Sequence, residues 1–600
     1  MADPLPDRRP GHPVALDVGL GDRMARPADQ ENPDAYVRIK ERLKDGIVVS
    51  GCKLHISEAS VADEVLVVPT RSLRPEDKDY AVAFAVPGDW DGLKQVVTIH
   101  NLRERKHFKR GFTPGATDSY MIFDNCFVNI SPYSKIIIEP NAKLELRNGT
   151  QLTKNRCCDI MWDGIYLNDN TSTLIATSST LGITVIEYSI NGIVASNNAN
   201  LNIIGVNFNN NATSMKLKNY LPQQTTFNIK LNKFNGGQMV KPYLGERSWY
   251  GIKAENVDNV IIGDFSSNIG NRFQNLYCGI YSLNSYIRVY GNHFIDIVDN
   301  PNNPYQCQSL TNPLLVCKPT AIHSAHSLTN NPSFINAPKK VEIGYINTFD
   351  NCVNGIKVYN QMATISSNIV RAVMNAIDIH DPLNYSEIKN NIVENCSNGT
   401  SPYKGIQVLK TQPGFINLSI NNNSVKTRGM GIYVGNCKSQ RLSQYRTFFV
   451  DINENTVKVA HPNNATKGIV VQNCPAAYVK CNTIDRLTAF LPSEPMANIL
   501  HGISVEQTQN AEIQQNHVKY MGAGINVYGC SDLTQFYCNT LESDFYGFLF
   551  NQHASITNQG TEKIRTDNKW TPYGNYSGYY LGQQVEHKLW ALNHNLNPNG

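Results

Sequence analysis

The chain has 600 residues, 17% of them charged, 41% hydrophobic and a formal net charge of +4. That length allows two to four domains of about 150 residues, or one long repetitive body. No stretch approaches 18 uncharged apolar residues, so no membrane span is predicted, and the weak, scattered positive charge excludes a nucleic-acid footprint. In chain order, residues 1–14 are Pro-rich and charged and read as disordered; they show no apolar h-region, so no secretory signal is read there. Short strands with tight turns follow, at Lys44–Lys53 after an Asp45-Gly46 turn, at Glu64–Thr70 and at Tyr80–Pro87. After Val128 the text changes. Residues 1–128 hold 38 charged residues and three asparagines, whereas the remaining 472 hold 66 and 68. Two units of different origin are predicted, 15–128 and 129–570, with an aromatic-rich cap or tail at 571–600.

The second unit repeats two signals. One is Gly-Ile opening an alternating strand, as at Gly192-Ile193, Gly251-Ile252, Gly355-Ile356 and Gly502-Ile503. The other is Asn-x-apolar, as at Asn271-Arg272-Phe273, Asn368-Ile369-Val370, Asn391-Ile392-Val393 and Asn516-His517-Val518. Several neighbouring copies lie 21 to 28 residues apart, the period of stacked supersecondary units, and longer gaps such as 292 to 347 read as a rung with an inserted loop or a missed repeat. Strands such as Lys135–Glu139, Lys143–Leu146 and Ala199–Ile204 have period 2, and no helical stripe competes. Asparagine is expected at the corners, where it tolerates left-handed backbone, with its amides laddering along the stack. The fold class is therefore all-β, a right-handed parallel β-helix preceded by a small β-barrel-like domain. Residues 129–570 resemble the Asn-rich β-helix proteins of Bacteroidetes type, with the pectin-lyase-like fold. Met161–Ile165 matches the opening motif of that group; Tyr537–Leu541, Gln559-Gly560 and Asn568–Trp570 match its closing rungs. That resemblance implies an extracellular or cell-surface protein, with a polysaccharide or cell-surface glycan as partner.

The first unit carries Gly21-Asp22-Arg23, Asp45–Val49, Gly51–His55, Asp77–Val82 and Phe123–Val128. This text resembles the central β-domain of the 4-hydroxyphenylacetate 3-hydroxylase and 4-hydroxybutyryl-CoA dehydratase flavoproteins. The resemblance implies FAD, held through Arg23, His55 and Ser57, and a cytoplasmic setting. Glu58 stands where the family prefers a small residue, and the helical domains that complete the flavin site do not flank this segment. The expectation is a truncated, inert piece with no cofactor.

The cysteines show no C-x2-C spacing and read mainly as buried small hydrophobes, so no metal is expected. Paired carboxylates on a β-helix flank would give polysaccharide lyase or hydrolase chemistry. Asp378-Ile379-His380 is the candidate catalytic cluster, alternation placing Asp378 and His380 on one side; the competing reading is a solvated turn. His323 and His326 form a second cluster, expected in a loop. Trp570, Tyr573, Tyr576, Tyr579, Tyr580 and Trp590 would cap the open end or stack on sugars. The function read from sequence is a structural or glycan-contacting β-helix without catalysis. Its alternatives are a flavin-dependent hydroxylase or dehydratase and a polysaccharide lyase or glycoside hydrolase.

Overall fold

The computed structural model describes residues 26–30, 36–51, 64–69, 73–87 and 119–580. Within the last range it omits 157, 222–226, 266–269, 300–315, 317, 328–339, 396–403, 443–444, 461–465, 488–499, 552–553, 558 and 560–565. The chain folds as two compact units, Met1–Ser119 and Tyr120–Gly600.

In the first unit the three expected strands and one more, Arg38–Arg42, pair as two antiparallel ribbons. Arg38–Arg42 lies against Ile47–Ser50 across the Asp45-Gly46 turn, and Glu64–Val67 against Phe84–Pro87. The short 3-10 turn Pro75–Tyr80 buries Asp77. That carboxylate accepts hydrogen bonds from the Arg26 side chain, from the Arg74 amide at 3.1 Å and from the Ala28 amide at 3.3 Å. A buried carboxylate needs this many donors, since an unpaired one would be too costly to bury.

The second unit is a parallel β-helix. Its first strands are Ser119–Asp124 and Phe127–Ile130, the latter in parallel register with Gln151–Lys154. The coil therefore starts about one strand before the expected boundary at Asn129. The coil runs through three faces. Face A holds the Gly-Ile strands, face C the strands like Asn200–Ile204, and face B the short strands that begin after the Asn of Asn-x-apolar. At the far end Lys569–Tyr580 adds a further parallel strand to Thr540–Phe550, so part of the predicted tail belongs to the stack. Right-handed crossover is the rule for such parallel connections.

Register explains the repeats. On face A the isoleucines align rung upon rung, Ile252 on Ile280, then Ile322, Ile356, Ile377, Ile406, Ile432, Ile469, Ile503 and Ile525, all buried. On face B the rings of Phe208, Phe234, Phe273, Phe294 and Phe349 stack at 4.7–4.9 Å between centroids. Each such side chain removed from water contributes roughly 1.5–3 kcal/mol. Glycine precedes the isoleucine for lack of space. A Cβ on Gly251 would lie 2.6 Å from both the Gly279 carbonyl oxygen and the Phe273 ring.

The corner between faces C and B carries a continuous ladder of buried asparagines from Asn232 to Asn568. Each Nδ2 donates to the next Oδ1 at 2.9–3.2 Å. The same Nδ2 groups also donate to face C carbonyls, such as Asn391 to Ile365 at 3.0 Å. The expected left-handed role falls on a different residue. At this corner it is the residue before the ladder Asn that has positive φ, and its type varies: Leu231, Ile346, Ser367, Glu454, Cys481, Gln515. Asparagine takes the left-handed conformation at Asn390 and Asn422 of this corner and at the other corners, as at Asn197, Asn256 and Asn436. Among the described residues the cysteines are free thiols, and Cys278, Cys352, Cys437 and Cys474 are buried. No described helix is long and apolar enough to cross a membrane.

Candidate functional site

With Ile facing the core, period-2 alternation turns the residue after it outward. On face A this builds an outer column in strict register, from Lys253 to Tyr281, His323, Lys357, Asp378, Gln407 and Tyr433. A second column two residues on carries Glu255, Leu283, Ala325, Tyr359, His380 and Leu409. Asp378 and His380 therefore sit in the strand Ile369–His380, and the turn begins only at Asp381, whose φ is 47°. The solvated-turn reading is corrected accordingly: the Asp378 side chain is 3% exposed and that of His380 23%. His323 is likewise buried in the strand Thr320–Ala325 rather than placed in a loop, with His326 just beyond it. Rung stacking brings the two clusters together, because His323 and Asp378 flank Lys357 in one column.

The side chains converge. His380 Nε2 lies 2.9 Å from Asp378 Oδ1, Lys357 Nζ lies 3.9 Å from Oδ2, and the Gln407 amide nitrogen is 3.1 Å from the same His380 Nε2. Gln407 Oε1 is buried with no hydrogen-bond partner among the described residues. The rings of Tyr281, His323, Tyr359 and His380 follow one another at 5.7, 5.5 and 5.0 Å. Lys253 Nζ stands 5.4 Å from the Tyr281 ring centre and Lys404 Nζ 4.6 Å from that of Tyr433, within cation–π reach.

Burial alone would raise the Asp378 carboxyl. The adjoining His380, with the positive charges of Lys357 and Lys404, outweighs burial and holds the group below the usual carboxylate range. Burial acts on the two lysines in the opposite sense: both are pulled below the ordinary ammonium range, and Asp378 only partly offsets this. Burial, reinforced by Asp378, keeps the Tyr359 hydroxyl protonated. The flank thus offers one ionised carboxylate, an imidazole touching it, two weakened cations and a protonated phenol. Chemically this set can bind an anionic group and transfer a proton. No group of three His, Cys, Asp or Glu among the described residues is placed to hold a metal.

The sequence singled out Asp378, His380 and His323 but not Lys357, Tyr359, Gln407, Lys404 or Tyr281. The signal was the residue after each Gly-Ile: it gives Lys253, Tyr281, Lys357, Gln407 and Tyr433 directly. His323 and Asp378 follow Ala321-Ile322 and Ala376-Ile377, where alanine replaces glycine and hides the repeat. Arg23, His55 and Ser57, the residues implied for FAD, lie outside the described residues, as does Trp590. Trp570 packs against the core, 6.5 Å from Phe548 between ring centres, as a capping ring would.

Residues 15–135 match the family model for the 4-hydroxyphenylacetate 3-hydroxylase N-terminal domain. Over 114 residues the chain is 37% identical to a 4-hydroxybutyryl-CoA dehydratase/vinylacetyl-CoA-Delta-isomerase of Clostridium aminobutyricum, covering 18% of this chain and 23% of that protein. Over 128 residues it is 29% identical to the 4-hydroxyphenylacetate 3-monooxygenase oxygenase component of Geobacillus sp. (strain PA-9), covering 19% and 24%. The chain thus spans about a quarter of the length of these curated relatives. The matched stretch runs past Ser119 into the first strands of the β-helix. Among solved structures, the periplasmic alginate epimerase AlgG aligns at 10% identity over 75% of this chain and 77% of that one, with TM-score 0.22. A mutant tailspike protein of E. coli bacteriophage HK620 in complex with a pentasaccharide aligns at 11% identity over 74% and 73%, with TM-score 0.26.

Proposed function

We propose that the second unit holds an acidic polysaccharide along the outer side of face A. The observation that carries this reading is the column itself, where Lys253, Tyr281, His323, Lys357, Asp378, Gln407 and Tyr433 occupy successive rungs at the spacing of about 4.8 Å between parallel strands. Tyr359 and Tyr433, which are half-buried, offer edges for sugar rings, the buried rings of Tyr281 and His323 back them, and Lys253, Lys357 and Lys404 meet sugar carboxylates. In this reading the first unit contributes no flavin chemistry. Titration with alginate, polygalacturonate and a neutral glucan tests it. The two polyuronates should bind, the glucan should not bind to this flank, and Lys357→Ala should weaken polyuronate binding about tenfold, the loss of one close charge contact. Neutral-glucan binding that Lys357→Ala weakens as much as polyuronate binding, or polyuronate binding indifferent to Lys357→Ala, would overturn it.

A second reading adds catalysis, and one observation favours it: Asp378 is a buried carboxylate held ionised against an imidazole. The pairing needed for glycoside hydrolysis is absent from the described column. Glu255 and Glu506 each stand four rungs from the rung of Asp378, or roughly 19 Å at ordinary strand spacing, beyond the separations of glycosidase carboxylates. A single base beside cations suits proton removal next to a carboxylate instead. Lys357 and Lys404 would neutralise the uronate and acidify the adjoining C–H bond. His380, beside Asp378, would take that proton. The released electron pair would form a C=C bond as the glycosidic C–O bond breaks, and the departing oxygen would take a proton from the Tyr359 hydroxyl. Release of unsaturated uronate products, lost in Asp378→Asn with polyuronate binding retained, is the expected result. No ultraviolet-absorbing product from either polyuronate leaves the binding reading alone.

A further inference from the structure

On the opposite side of the coil, face C and the corner after it carry an aromatic cluster that the acidic-glycan reading does not use. Val289 and Ile365 each stand three residues before their ladder asparagines, Asn292 and Asn368. On neighbouring rungs the same corner is longer: Ile343 precedes Asn347 by one residue more, and Ile262 precedes Asn271 by a larger insertion. Both insertions place an aromatic residue outside. Phe265 is 44% and Tyr345 55% exposed, and they close over the buried ring of Tyr290 on the rung between them. The ring centres lie 4.1 Å (Phe265–Tyr290), 5.1 Å (Phe265–Tyr345) and 5.1 Å (Tyr290–Tyr345) apart.

The backbone supports an assigned role for this cluster. Tyr345 and Ile346 are consecutive left-handed residues, with φ of 53° and 61°, and Ile346 is 53% exposed. A β-branched residue pays for that conformation, and stability gains nothing from holding a large apolar side chain in water. Polar groups border the rings. Tyr290 and Tyr286 donate their hydroxyls to the two oxygens of Glu342, at 2.7 and 3.1 Å, and Lys340 Nζ lies 2.7 Å from one of them. Glu342 is thereby fixed in place with lone pairs still open to hydroxyl donors.

We propose that Phe265, Tyr345 and the Glu342–Lys340 pair form a second sugar site, one that takes a neutral hexose or pentose ring. The exposed ring faces would cover the apolar C–H face of the sugar, and Glu342 and Lys340 would meet its hydroxyls. An apolar platform beside a few fixed polar groups is the usual make-up of such sites. The pair is internally neutralised, so it offers no net charge to attract a uronate, and the site is independent of the face A column. Isothermal titration of the full chain with cellohexaose, xylohexaose, mannohexaose and laminarihexaose tests it. At least one should bind, with affinity falling tenfold or more in Tyr345→Ala and in Phe265→Ala, little changed in Tyr345→Phe and unchanged in Lys357→Ala. Circular dichroism of each variant guards against unfolding, because both side chains are exposed and neither belongs to the core. Failure of all four to bind, or binding that ignores both alanine variants, would overturn the assignment.

Discussion

His501 and Asp378 lie on the same face of the coil, and burial makes their pH responses separable. Burial, with Lys467 adding to it and Glu506 opposing, pushes the His501 imidazole down to about 4. An unfolded histidine titrates near 6.5. Above that pH neither state holds the extra proton and the contribution of neutral His501 is complete. As pH falls from about 6.5 to 4 the unfolded chain gains a proton that the folded chain refuses, and stability drops by up to roughly 3 kcal/mol. Asp378 is lowered from its ordinary value, so its contribution is complete above about pH 4 and is lost only as pH falls further, through its folded value. Urea unfolding between pH 7 and 3 should therefore lose stability in two stages. His501→Gln should remove the stage above pH 4 and leave the lower one, which Asp378→Asn should remove. A single stage unaffected by His501→Gln would refute the assignment.

At the scale of the strand and its corner, the apolar stack and the amide ladder fail in different ways. Phe273→Ala opens a hole between the rings of Phe234 and Phe294 and should cost about 3–5 kcal/mol, the ordinary range for a buried phenylalanine. Asn391→Asp keeps the size and the acceptor that serves Asn368 but removes the donor that serves both Asn423 and Ile365. Two buried acceptors are then left facing a carboxylate. The expected loss is at least 3 kcal/mol at neutral pH, from unmet hydrogen bonds alone, and smaller in acid, where the protonated group regains a donor. Thermal melts at pH 7 and pH 4 check both; a pH-independent Asn391→Asp would mean that the ladder carries no charge penalty. These elements were legible in sequence because the coil uses the same residue at the same place: the Asn-x-apolar copies all fall on the ladder, and the Gly-Ile copies on face A. What was not legible follows from the same logic. Lys357 and His380 are separated by more than twenty residues and adjoin only through register, and Ala376-Ile377 hides Asp378 from a search for Gly-Ile. The left-handed corner residue leaves no compositional trace, since the ladder beside it fixes the turn whether it is Leu231 or Glu454.

At the scale of the whole chain, two kinds of construction meet near Ser119. The family-matched stretch 15–135 supplies two antiparallel ribbons to the first unit, but its closing motif, Phe123–Val128, is spent on the first coil of the second. In the flavoprotein resemblance that motif closes the domain said to hold FAD through Arg23, His55 and Ser57. A cofactor site needs most of the ligand's surface covered, and a partly open one leaves the entropy of binding uncompensated. We therefore expect the purified chain, mixed with FAD and passed through a sizing column, to emerge without the visible flavin absorbance and to leave flavin fluorescence unquenched. Polyuronate binding should be the same with and without FAD, since the face A column shares no residue with that domain. Stoichiometric retention of FAD, abolished by Arg23→Ala and His55→Ala, would reverse this assignment and make the first unit a working flavin domain.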